Sequence, residues 1–139
     1  MTGTRQLILD FAHRPAFGKA DFLVSDCNRT AVSWVDRWPH WRAPALAVYG
    51  PRGSGKTHLA HVWVVRSNAV VVRGKDIDNR AAPDILDDAP SCVLDHADEV
   101  YDEESLLHLY NYVAEIGGSM LLIARLPPAK WKIDLPDLS

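Results

Sequence analysis

The sequence predicts an α/β fold: a parallel sheet covered by helices on both faces. Three observations carry that prediction. Four short apolar runs, "ALAVYG", "AVVVRG", "SCVLD" and "SMLLIAR", are continuous rather than alternating, as strands buried on both faces require. Segments of helical character separate them. A glycine-rich loop joins the first of these strands directly to a helix.

The elements follow in chain order. "RQLILDFAHRPAFGKADFLV" reads as an N-terminal arm that opens with alternating apolar residues and turns irregular around Pro15 and Gly18. In "NRTAVSWVDRW", Asn28 suits a helix N-cap, and Ala31, Val32, Trp34, Val35 and Trp38 recur at roughly helical spacing before Pro39 ends the run. The tryptophans of "WVDRWPHW" (Trp34, Trp38, Trp41) fit a packed helix end. "GKTHLAHVWVVRS" is helical, with Leu59, Val62, Trp63 and Arg66 spread over more than one face. "GKDIDNRAAPDILDDAP", broken by Pro83 and Pro90, predicts loops with one or two short helical turns. In "DEESLLHLYNYVAEIGG", Asp102, Glu103 and Glu104 sit near the positive end of the clearest helix. Leu106, Leu109, Tyr110 and Val113 form its stripe and Gly117 its cap. "LPPAKWKIDLPDLS" is a proline-punctuated tail.

Gly50-Pro51-Arg52-Gly53-Ser54-Gly55-Lys56-Thr57 fits the pattern G-x-x-x-x-G-K-[ST] in full. Glycines let such a loop curl its backbone N–H groups inward onto phosphate oxygens. The helix that starts near Gly55 adds its positive end. Lys56 supplies a mobile charge for the outer phosphates, and Thr57 a hydroxyl ligand for Mg²⁺. Arg52 reads as a solvated side chain beside the phosphates. His58 and His61 match no metal-ligand pattern and read as surface or packing residues.

Ligands of open parallel sheets sit beyond the carboxyl ends of the strands. The loop after Tyr49 and the turn after Leu94 both fall there. Asp95, ending an apolar strand, is therefore the expected Mg²⁺ site, through water. Many P-loop ATPases carry a second carboxylate at the next position to orient or deprotonate the attacking water. Here that residue is His96. An imidazole can act as a base near neutral pH, but its geometry and charge differ, so Asp95 and His96 together predict slow hydrolysis.

The bulk properties set limits. With 139 residues the chain makes one domain, and a net charge of −3 gives no footing for tight non-specific nucleic-acid binding. No apolar run approaches bilayer length, and the N-terminus lacks the pattern of a secretion signal. Cys27 and Cys92 lie far apart and form no CxxC pair, which points to a reducing cytoplasm.

Five stretches, "DFLVSDCNRTAVSWVDRW", "LAVYGPRGSGKTHLAHVW", "SCVLDHAD", "LLHLYNYV" and "SMLLIARLPPAKWKIDLPDLS", together resemble the AAA+ ATPase region of the bacterial replication initiator DnaA. They look closer still to its shorter paralogues of the Hda type, called HdaA in alphaproteobacteria. The resemblance covers nearly the whole chain. It implies an AAA+ P-loop core over residues 20–139 and an arm over residues 1–19 that carries a clamp-binding peptide. The segment matching Asp21–Asn28 wraps the adenine in this family, which implies ADP or ATP beside Phe22, Leu23, Val24 and Asn28. "QLILDF" is similar to the hexapeptide that binds the DNA polymerase sliding clamp, with Gln6, Leu7, Leu9 and Phe11 as the contact residues. An edge strand of the same domain is the other reading of that hexapeptide.

The resemblance implies a regulator that acts with the clamp to promote hydrolysis of DnaA-bound ATP and so prevents a second round of initiation. A homo-oligomer is compatible with it, and direct sequence-specific DNA recognition is not expected. The family continues past "LPDLS" into an arginine-finger helix and a lid, so the resemblance implies that these parts are missing here. It also expects a polar sensor at the end of the fourth strand, where this chain offers Ala124 and Arg125. Two other readings stay open: an autonomous ATPase of the helicase-loader type, and an adaptor whose nucleotide site is vestigial.

Overall fold

The computed structural model describes residues 22–131. Nine principal elements alternate along them: β1 (Phe22–Asp26), α1 (Arg29–Arg37), β2 (Ala45–Tyr49), α2 (Lys56–Ser67), β3 (Val70–Arg73), α3 (Ala82–Leu86), β4 (Cys92–Asp95), α4 (Glu103–Glu115) and β5 (Met120–Ala124). The five strands form one sheet in the order β1-β2-β5-β4-β3, and every pairing is parallel.

The four expected strands are present, and β1 is a fifth. It begins inside the stretch expected to be an irregular arm. Its three apolar residues are followed at once by Ser25 and Asp26, too short a run to signal a strand. Register supplies what local pattern does not: Phe22 pairs with Ala45 and Asp26 with Tyr49 along the exposed side of β2. β3 departs from expectation in the other direction. Its apolar run is continuous, yet it is an edge strand, and Val71 is 56% exposed.

Alternation along each strand sends side chains to opposite faces and builds two cores. Leu46 and Val48 of β2, Leu121 and Ile123 of β5 and Val93 of β4 pack with Ala31 and Val35 of α1 and Leu59 and Trp63 of α2. Ala45 and Ala47, Met120 and Leu122, and Cys92 and Leu94 pack instead with Ile85 and Leu86 of α3 and Leu106, Leu109 and Val113 of α4. The molecule is thus three layers, with α1 and α2 on one face of the sheet and α3 and α4 on the other. Full burial of each leucine or valine contributes about 1.5–3 kcal/mol.

The caps expected at Asn28 and Gly117 are made, and Asp102 adds another. Asn28 accepts a hydrogen bond from the Thr30 amide at 2.8 Å and starts α1. Asp102 accepts from the Glu104 amide at 3.2 Å and the Ser105 hydroxyl at 2.7 Å and starts α4. Gly117, at φ 78°, ends α4. Pro83 falls in the first turn of α3, where its missing N–H costs nothing.

The tryptophans organise the α1–α2 layer. Trp63 is completely buried; Trp41 stacks on it at 5.8 Å and Trp38 meets it edge-on at 5.8 Å. Both outer indoles find acceptors: Trp38 donates to the Ser119 hydroxyl at 2.9 Å and Trp41 to the Trp34 carbonyl at 2.7 Å. Arg66 of α2 closes the end of α1 by donating to the Val35 and Trp38 carbonyls, each at 2.8 Å. Among the described residues no helix is long and apolar enough to cross a membrane.

Candidate phosphate-binding site

The loop between β2 and α2 lies where the chain direction divides. From β2 the chain crosses by α2 to the far edge at β3, then returns through β4 to β5, next to β2. Helix α2 leaves β2 on one face of the sheet and α4 follows β4 on the other, and at such a division ligands of open parallel sheets sit beyond the carboxyl ends of the strands.

The loop is pinned at its base and free at its rim. The Gly50 amide donates to the Ala124 carbonyl of β5 at 3.1 Å, and the Ser54 amide to the Pro51 carbonyl at 3.1 Å. Gly53 and Gly55 adopt φ values of 83° and 98°, which only glycine takes without strain. Pro51, Arg52, Gly53 and Gly55 are exposed, as are Thr57 and His58 at the start of α2. A Cβ on Gly50 would sit 2.8 Å from the Ser54 hydroxyl, so the loop closes tightly at that point.

Helix α2 begins differently from α1 and α4. No side chain caps it, so its first amides have no partner within the helix. Its first residue is Lys56, a cation at the positive end of the helix dipole, where an anion is favoured instead. The ammonium turns back over the loop, donating to the carbonyls of Gly50 and of Pro51 (2.9 Å) and to the Ser54 hydroxyl at 3.4 Å. Uncapped amides, positive-φ glycines and a lysine ammonium thus occur together in one turn. Such a donor set fits the oxygens of a phosphate group.

Asp95 ends β4 at the same margin of the sheet. Leu94 is level with Leu122, which is level with Ala47, so Asp95 lies level with Val48, just below the loop. Only β5 separates the two strands, a lateral span of about 10 Å. The Asp95 side chain is half-exposed and accepts from the His96 amide at 2.9 Å. His96 takes a left-handed conformation, φ 53°, and its Nδ1 lies 3.3 Å from the same carboxyl oxygen without a hydrogen bond to it. The imidazole is folded back on Asp95. Arg125 is exposed and follows Ala124, the residue that holds the loop's base.

The segment expected to lie beside adenine is only partly available to a ligand. Phe22 is 1% exposed and packs on Tyr110 with ring centroids 5.1 Å apart, and Leu23 is 4% exposed in the opposite core. Strand formation turns these two side chains inward, one into each core. Val24 is half-buried against the α3–α4 core, and the Asn28 carbonyl oxygen caps α1. What this segment does offer is the turn Asp26–Asn28 beside the phosphate loop. Gln6, Leu7, Leu9 and Phe11 lie outside the described residues, as does Asp21.

Two contributors escaped the sequence reading. Cys27 donates its backbone N–H to the Tyr49 carbonyl at 2.7 Å and its thiol to the Ser54 carbonyl at 3.3 Å. Arg73, level with Asp95 on β3, forms a two-pronged pair with Glu99 at 2.9 and 3.0 Å. That pairing holds the Glu99 carboxyl below its ordinary range and lifts the Arg73 guanidinium above its own. The sequence signal for Arg73 was its place at an expected strand end, and for Cys27 its place within Asp21–Asn28. A scan against protein-family models finds no match for the chain, and neither does a search of curated proteins.

Proposed function

We propose that this chain binds an adenine nucleotide with Mg²⁺ and works as a DnaA-related AAA+ regulator of the Hda type. The observation that carries the nucleotide reading is the turn Gly50–Thr57, where uncapped α2 amides and the Lys56 ammonium meet at the division point of a parallel sheet. In this reading the loop holds the diphosphate of ADP or ATP. Thr57 and Asp95 hold Mg²⁺, the ion that would neutralise the phosphate charge, and Arg125 stands at the sensor position. His96, folded onto Asp95 in place of a second carboxylate, supports slow or absent intrinsic hydrolysis. The nucleotide then serves as a switch that organises the partner surface.

The regulatory part rests on the sequence resemblance and on the peptide Gln6–Phe11. The expected partners are the DNA-loaded sliding clamp and DnaA–ATP, whose hydrolysis a regulator of this type promotes. Retention of the chain on immobilised clamp tests the first step. Wild type should be retained, and the double substitution Leu7→Ala with Phe11→Ala should abolish retention. Equal retention of both proteins would remove the clamp from the proposal. Stimulation of DnaA–ATP hydrolysis that ignores the clamp would remove the order of events.

A further inference from the structure

The two helix layers carry opposite charge. Helices α1 and α2 hold four basic side chains (Arg29, Arg37, Lys56 and Arg66) and one acidic side chain, Asp36. Helices α3 and α4 hold four acidic side chains (Asp84, Glu103, Glu104 and Glu115) and no lysine or arginine. The net charges are +3 and −4, with the sheet between them. A net charge of −3 for the whole chain conceals this polarity.

Each layer also has an apolar feature at its outer surface. On α2, Val62 and Val65 are one turn apart on the side away from the sheet, and both are exposed, Val65 to 81%. No other large hydrophobic among the described residues is so exposed. Packing explains the opposite side of α2, where Leu59 and Trp63 are buried, but not this ridge. Between α3 and α4 lies an open groove of about 600 Å³, lined by Ala82, Pro83, Tyr112 and Ala114 together with the polar His108, Asn111 and Glu115. An apolar ridge in a basic layer matches a partly apolar groove in an acidic one. They lie on opposite faces of one sheet, so no molecule can bring its own pair together.

We infer that a second copy of this chain covers the ridge. The α2 ridge of one copy seats in the α3–α4 groove of the next, with the acidic layer facing the basic one. Such a contact joins two different surfaces, so each added copy leaves a fresh ridge at one end and a fresh groove at the other. Apolar burial at the centre sets affinity, while the charged margins steer encounter and orientation. This contact does not depend on the nucleotide reading.

Sedimentation velocity on the chain tests it without any substitution. The average sedimentation coefficient should rise with protein concentration at about 50 mM salt and fall back toward the monomer value at about 500 mM, where charges are screened within a few ångströms. Val65→Asp and Ala114→Arg alter exposed positions on the ridge and in the groove. Each variant alone should associate at least tenfold more weakly than wild type while keeping the wild-type circular dichroism spectrum. Mixed in equal amounts, the two should form heterodimers and stop there, because one intact ridge and one intact groove remain. A wild-type chain that stays monomeric at low salt would overturn the inference. So would variants that fail to complement each other in the mixture, or a basic layer that binds a single-stranded oligonucleotide without any self-association.

Discussion

The Cys27 thiol lies 3.3 Å from the Ser54 carbonyl oxygen and ties the turn after β1 to the Gly50–Thr57 loop. The contact spans 27 residues of sequence and joins the two segments that the nucleotide reading assigns to adenine and phosphate. A hydroxyl can make the same bond, but a methyl cannot. Cys27→Ala should therefore weaken binding of a fluorescent ADP analogue by about fivefold, the worth of one hydrogen bond of roughly 1 kcal/mol. Cys27→Ser should retain most of the affinity. Equal affinity in all three proteins would show that the thiol does not position the loop.

The two cysteines should differ sharply in reactivity. Cys27 is half-buried, whereas Cys92 lies in the core and burial pushes its thiol up to about 12. At pH 8 the native chain should take up iodoacetamide at Cys27 alone, and at both thiols in denaturant. Peptide mass mapping reads this directly. Rapid native labelling of Cys92 would contradict the packing of β4 against α4.

Gly74 approaches the turn behind Asp95 too closely for any side chain. A Cβ there would stand 2.4 Å from the His96 carbonyl oxygen, a backbone atom that cannot rotate away. Gly74→Ala should destabilise the fold by about 1–3 kcal/mol in urea unfolding. It should also weaken the Mg²⁺ dependence of nucleotide binding, because the Asp95–His96 turn must move.

Most of the fold was legible because apolar strands and capped helices advertise themselves locally. Asn28, Asp102 and Gly117 do what their residue types suggest. What escaped was set by tertiary context. β1 exists because β2 offers it an edge, and no periodicity within "FLVSD" reveals that. The edge position of β3 was hidden because three consecutive valines look alike in a central and an outer strand. At the site, the loop was legible from residue type alone. The inward turn of Phe22 and Leu23 and the Cys27 contact were not, because each depends on which strand is the neighbour.

Trp63 buries a large ring and leaves its indole N–H without an acceptor. Trp63→Phe removes the orphaned donor while keeping an aromatic ring between Trp38 and Trp41. It should cost clearly less than Trp63→Ala, for which about 3–5 kcal/mol is expected. Chemical denaturation of the two variants gives the comparison, and equal losses would mean that volume alone matters there.

The Arg73–Glu99 pair gives a signed pH dependence. The folded carboxyl sits below its unfolded value, chiefly through its hydrogen bonds from Arg73, so its contribution is present above about pH 4.3 and lost as pH falls through the folded value. Glu99→Gln should lower Tm slightly near neutrality, and the gap from wild type should close toward pH 3. The effect is small because the pair is solvent-exposed. A gap that widens in acid would reverse the assignment.

Calorimetric titration with ADP and Mg²⁺ probes the cradle at Gly50–Thr57 most directly. The wild-type chain should release heat at a single site, and Lys56→Ala should weaken it by roughly ten- to a hundredfold, as loss of charge-assisted bonds implies. Asp95→Asn should bind ADP with little response to the metal. A wild-type chain that gives no heat, or one whose affinity survives Lys56→Ala unchanged, would contradict a diphosphate held in this turn.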